Sequence, residues 1–165
     1  MRPFTRITLI VLLVASFAGC DQATKSLAKR ELQFSASSNI LWGVVRLQYA
    51  ENEGGFLSIG SELSPDVRRL FTFVLSVVVF GGFIVLLSSA DKVNLPKLLL
   101  YSMLLAGSVG NLMDRLLNQG RVVDFLILGT RTLHTGILNV ADLLITTSIV
   151  ILFIIELSDR RGELG

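Results

Sequence analysis

Two aspartates in apolar settings carry the reactive potential of this chain: Asp124 in RVVDFLIL and Asp142 in ILNVADLLITT. A charge inside a bilayer is expensive and usually marks a function. Two carboxylates sharing a secluded site cannot both ionise comfortably. One keeps its proton near neutral pH while the other acts as a base, and the two titrate as a unit. One acid can then deprotonate a water while the other protonates a substrate carbonyl oxygen. That chemistry hydrolyses a peptide bond without a cofactor. Plainer readings stand beside it: a helix-end carboxylate in headgroup water for Asp142, and a loop acid or ion-pair partner of Arg115 or Arg121 for Asp124.

Other polar residues recur at helical spacing near these acids. Asn139 lies one turn before Asp142 and Thr146 one turn after it. In AGSVGNLMDRLL, Gly107, Asn111 and Asp114 or Arg115 fall on one face. Ala106, Gly107 and Gly110 would let another helix approach closely. Packing accounts for the glycines and accounts less well for Asn111 and the Asp114-Arg115 pair. Asp21 and Lys25 are spaced i,i+4 with the acid first, which suits a structural salt bridge at a helix end. His134 is the single histidine. Without a cysteine cluster or an HExxH spacing it gives poor support for zinc, and no GxSxG motif is present, so no metal or cofactor is expected.

The elements that must position these residues are membrane spans. The chain has 165 residues, 52% of them hydrophobic, and a mean hydropathy of +0.67. Four segments, approximately 7–23, 70–89, 98–117 and 137–157, are long enough to cross a bilayer, which takes roughly 20 apolar residues each. The net charge of +2 is scattered, which argues against nucleic-acid binding. Cys20 is the single cysteine, so no internal disulfide can form. It ends FAGC, a pattern like a lipoprotein cleavage site; cleavage there would remove the first span and leave three. Positive-inside counting over Arg2, Arg6, the Asp91–Lys97 loop and Arg160-Arg161 predicts both termini and that loop on the cytoplasmic side. Residues 26–63 then face the periplasm. NILWGVVRLQY reads as a strand, ENEGGF as a glycine-rich turn and FLSIG as a second short strand. Ser64, Pro65 and Asp66 suit the start of the second span. Trp42, Tyr49 and Phe56 suit the membrane interface, a packed sheet core being the alternative for Trp42. The expected fold is an all-α membrane core of four transmembrane helices with a small periplasmic β-sheet, approximately residues 39–60, on the membrane surface.

Five stretches in order — DQATK, ENEGGF, GSVGNLMDR, VVDF and NVAD — resemble the bacterial lipoprotein signal peptidases, or signal peptidase II. The likeness spans nearly the whole chain, with ENEGGF one residue shorter and LLNQGR one residue longer than the family's usual forms. It implies that residues 1–165 form one intramembrane aspartyl peptidase, monomeric and in the inner membrane. Its substrates would be prolipoproteins, cut just before a diacylglyceryl-modified cysteine. Asp124 and Asp142 would be the catalytic dyad. Asn52, Gly54, Asn111, Arg115, Asn139 and Ala141 would support the site or the substrate. Asp21 and Lys25 would be structural, as would Gly107, Gly110 and Asp114. Membrane lipid and globomycin-type inhibitors follow as partners. By this likeness FAGC ends a retained first helix rather than a signal peptide. The residues alone leave two rivals: a non-catalytic binding or proton-coupled transport protein, and a lipoprotein modified at Cys20.

Overall fold

The computed structural model describes residues 3–35, 37–54 and 64–163, with side chains from Phe4 to Arg160 within them. The expected strand FLSIG and Phe56 lie outside the described residues. Four long helices are present: α1 (Pro3–Leu32), α2 (Pro65–Ser88), α3 (Leu95–Leu117) and α4 (Val140–Glu163). All four are long and apolar enough to cross a membrane. Three strands join them, β1 (Ser38–Ile40), β2 (Val45–Asn52) and β3 (Val122–Leu128).

α1 is longer than its apolar run, with 30 residues spanning about 45 Å against a hydrocarbon core of about 30 Å. Leu27, Ala28, Lys29, Arg30 and Glu31 are good helix formers, so the helix continues where hydrophobicity ends. Asp21 and Lys25 are therefore inside the helix rather than at its end, and so is FAGC. At the start of α2, Pro65 and Asp66 occupy the first turn as expected, but Ser64 makes no side-chain cap bond. α3 begins earlier than hydropathy suggests because the Asn94 side chain accepts from Lys97 N at 2.9 Å, an N-cap followed closely by Pro96.

α3 is the central helix and touches the other three. Ile10, Val14, Val79, Leu86, Leu98, Leu105 and Ala106 form the interhelical core. Outward-facing Val77, Phe80 and Ile84 on α2 and Ile149, Phe153 and Ile154 on α4 are exposed, a surface suited to lipid rather than water. The Arg6 guanidinium donates to Ala90 O at 2.7 Å and Val93 O at 2.5 Å. Lys97 pairs with Asp159 at 2.7 Å. These ties gather the start of α1, the α2–α3 loop and the end of α4 at one end of the bundle.

The sheet closes the other end, antiparallel in the order β1-β2-β3. The stretch expected as one strand is two. Leu41, Trp42 and Gly43 turn through positive φ of 48°, 55° and 85° between β1 and β2. Trp42 is fully exposed at this tip, which removes the sheet-core alternative. The partner of β2 is VVDFLIL, a strand not anticipated from sequence. One extra residue on β2 between Leu47 and Ala50, which pair with Leu126 and Asp124, makes a bulge opposite Phe125. Bulges re-aim side chains beside functional sites; this one precedes Ala50, which pairs with Asp124.

Candidate active site

The two aspartates arrive from different elements. Asp124 is the third residue of β3 and is 2% exposed. After β3 the chain folds back, with Leu138 and Leu126 exchanging backbone hydrogen bonds of 2.8 Å in both directions. GTRTLHTG is the tip of this return, bridged between Gly129 and His134. The return delivers Asn139 beside β3 and starts α4.

Asn139 and Asp142 then cap α4 reciprocally. Asp142 N donates to Asn139 Oδ1 at 2.8 Å, and Asn139 N donates to Asp142 Oδ2 at 3.2 Å. This is a capping box in NVAD. The sequence puts both residues on one face, and the N-x-x-D spacing is the signal in it that marks the box. The Asn139 amide nitrogen also donates to Asp124 Oδ1 at 2.6 Å. One asparagine therefore hydrogen-bonds both acids.

Each remaining carboxylate oxygen also has a donor. Asn52 Nδ2 reaches Asp124 Oδ2 at 2.9 Å, and Asn111 Nδ2 reaches Asp142 Oδ1 at 2.9 Å. The Asn52 carbonyl oxygen accepts from Gly54 N at 2.9 Å, which fixes its amide orientation. Arg115 donates to Gly54 O at 2.9 Å and Asn111 O at 3.1 Å. Its guanidinium lies over Phe71, 5.9 Å from the ring centroid. Among the described residues Asp124 makes no ion pair with Arg115 or Arg121. Arg121 instead meets Glu51 at 3.1 Å and Glu53 at 3.0 Å, and Glu53 also pairs with Arg68. Arg68 beside Glu53 holds that carboxyl below its ordinary range.

A second buried layer lies behind the acids. Lys25 Nζ sits 2.7 Å from Asp21 Oδ2, 3.1 Å from Asp114 Oδ2 and 2.9 Å from Asn111 Oδ1. The ammonium donates to Asn111 Oδ1, and the two carboxylates flank it as ion-pair partners. Asp114 therefore turns toward Lys25 rather than pairing with its neighbour Arg115. It also accepts from Val123 N at 2.9 Å and from Gln22 at 2.8 Å. Gln22 lies in DQATK, one turn before Lys25 on the same helix face, and was not singled out. Asp21 Oδ1 accepts from Ala141 N at 2.8 Å, an anion on the first turn of α4. The small residues permit this docking. A β-carbon on Gly107 would lie 2.6 Å from Ala141 O, and one on Gly110 would lie 2.5 Å from Asp21 Oδ2.

Asp124 and Asp142 both line a cavity of about 410 Å³. Asn52, Asn111 and Arg115 stand at its polar end, and Leu75, Ile145, Thr146 and Ile149 wall it toward the membrane. Burial pushes the Asp124 carboxyl up to about 6; the hydrogen bond from Asn52 pulls it down, and the charge of Asp142 pushes it up further. Infrared difference spectra should therefore show a protonated-carboxyl band, absent in Asp124→Asn, that titrates near pH 6. Removing the neighbouring charge in Asp142→Asn should shift that titration to lower pH; an unmoved midpoint would show that the two acids do not interact.

Fold and site together define a polytopic membrane protein, four spans closed at one end by a sheet that buries two acids over a lipid-facing cavity. The model of the signal peptidase II family matches residues 11–158. A lipoprotein signal peptidase of Geobacter metallireducens is 31% identical over 163 residues, 99% of this chain and 98% of the relative. One from Symbiobacterium thermophilum is 31% identical across 94% of this chain and 98% of its own. Two solved bacterial membrane enzymes share the fold at 24% identity, with TM-scores of 0.77 and 0.73. They cover 94% and 92% of this chain, and the matches span 91% and 94% of theirs. The chain belongs to the signal peptidase II family and is a membrane-spanning peptidase.

Proposed function

We propose that this protein is an intramembrane aspartyl endopeptidase that cuts prolipoproteins just before a diacylglyceryl-modified cysteine. The observation that carries the proposal is Asn139, which hydrogen-bonds Asp124 and Asp142 at the head of one cavity. A water held between the acids loses a proton to one carboxylate as its oxygen attacks the scissile carbonyl carbon. The other acid gives its proton to the carbonyl oxygen. The tetrahedral gem-diol then collapses: the carbon–nitrogen bond breaks, the departing nitrogen takes the proton collected from water, and one hydroxyl returns its proton to the acid that had protonated the carbonyl oxygen. The signal peptide leaves with a new carboxylate and the lipoprotein with a free amine on its lipidated cysteine.

The position of the cavity fits this substrate. The acids sit where the helical bundle meets the sheet, and the cavity below them is apolar, so an embedded cleavage site can reach them without leaving lipid. Both termini face the cytoplasm in this reading and the acids face the periplasmic side, as the positive-inside pattern favours. The active unit in this reading is a monomer. Globomycin-type peptides would compete for the same cavity.

The test is direct. The purified protein, supplied with a diacylglyceryl prolipoprotein, should release the signal peptide and leave lipidated cysteine at the new N-terminus, read by mass spectrometry. The precursor lacking the lipid should remain uncut. Protonation-coupled transport without cleavage would favour the rival reading instead.

A further inference from the structure

A second cavity runs down the membrane between α2 and α3, separate from the polar end of the site. We propose that this groove holds one acyl chain of the lipid on the substrate's cysteine, which rests on the peptidase reading above. Leu75, Val78, Gly82 and Val85 line it on α2, and Tyr101 and Leu104 on α3. Leu75 and Ser108 line both this groove and the cavity of the aspartates. A chain anchored at the reacting cysteine can therefore pass into it directly.

The dimensions select the occupant. The α2 lining runs from Leu75 to Ser89, about 21 Å at 1.5 Å per residue. The groove holds about 530 Å³, or about 1080 Å³ with all the open space along it. Spread over ~21 Å, those volumes give mean cross-sections of about 25 and about 50 Å². A helix 10–12 Å across needs roughly 80–110 Å². A polymethylene chain running in single file fills a cross-section of that size, whereas a helix would seat in this open-sided groove only partway.

Gly82 points to the same use. A β-carbon built there meets nothing within 4 Å, so no neighbouring helix requires glycine at that position. Glycine inside a helix costs about 1 kcal/mol relative to alanine. What it leaves on this wall is open space. A large side chain at residue 82 would project into the groove without displacing a packed neighbour.

The experiment compares the unmodified protein, Gly82→Ala and Gly82→Phe on two precursors. One carries two long saturated chains, and the other carries chains short enough to end level with Leu75. Gly82→Phe should lower kcat/KM for the long-chain precursor by about 10-fold, chiefly through KM, and leave the short-chain precursor unchanged. Gly82→Ala, one carbon larger, should slow the long-chain precursor far less than Gly82→Phe does. Equal slowing of both precursors by Gly82→Phe, or none, overturns the proposal. A photoreactive group at the end of the long chain should label α2 between Val78 and Ser89 in the inactive Asp124→Asn protein. Labelling confined to other helices also overturns it. If the unmodified protein cuts no lipidated precursor, the proposed function fails, and the label on α2 still decides the groove.

Discussion

Asp124→Asn and Asp142→Asn should each lower processing of a lipidated precursor by about 10³-fold or more, because each removes one half of a single proton-transfer unit. The double variant should be no slower than either single one. The fold should survive. Asparagine matches aspartate in size, and losing a buried charge offsets what the amide disturbs. That disturbance is specific. The Asp124 oxygens accept from Asn52 and Asn139, so an amide there sets one NH₂ against another and loses one hydrogen bond, worth about 1–3 kcal/mol. A folded variant, verified by unchanged thermal unfolding, with full cleavage would remove Asp124 or Asp142 from the chemistry. Additive losses in the double variant would mean the acids work separately.

Lys25→Met should be the most destabilising single change outside the acids. The methionine leaves Asp21 and Asp114 buried at 0% and 2% exposure without their cation. Breaking a buried ion pair from one side costs roughly 3–5 kcal/mol, read as a fall of ~10 °C or more in the unfolding temperature in detergent. Adding Asp21→Asn and Asp114→Asn to Lys25→Met should recover part of the loss, since no unpaired charge then remains. Lys25→Arg should not substitute well: a bulkier planar fork cannot take the place of a compact ammonium packed between Asp21, Asp114 and Asn111. A Lys25→Met protein as stable as the parent would show that the triad contributes nothing to stability.

Hydropathy sufficed to find the four spans, because lipid demands a continuous apolar run. It misplaced their ends where other physics takes over. α1 outruns its apolar stretch because residues after Lys25 favour helix even in water. α3 starts early because Asn94 caps it. The polar residues of the site were legible individually, since each breaks an apolar pattern. Asn111, Asn139, Asp124 and Asp142 do converge, and the two glycines stand at helix contacts as their size suggests, whereas Ala141, expected among the supporting residues of the site, meets Gly107 and Asp21 behind it. Their partnerships were not legible. Asp114 and Arg115 are adjacent in sequence, yet 100° of helix rotation sends one toward α1 and the other toward Gly54. VVDFLIL passed as the apolar surroundings of an acid because its strand partner lies more than seventy residues earlier. The break at Leu41-Trp42-Gly43 depends on three left-handed residues in a row, of which Gly43 alone announces itself.

Trp42 at that turn has a mechanical consequence. Its ring is fully exposed and amphipathic, the kind of side chain that settles among lipid headgroups. From just beyond that turn β2 runs to Asn52, over 8 residues or about 25 Å of strand. A ring seated among those headgroups would make the hairpin an outrigger, a float held to one side of the hull, and would hold the two carboxylates at a constant height above the bilayer midplane as the helices rock.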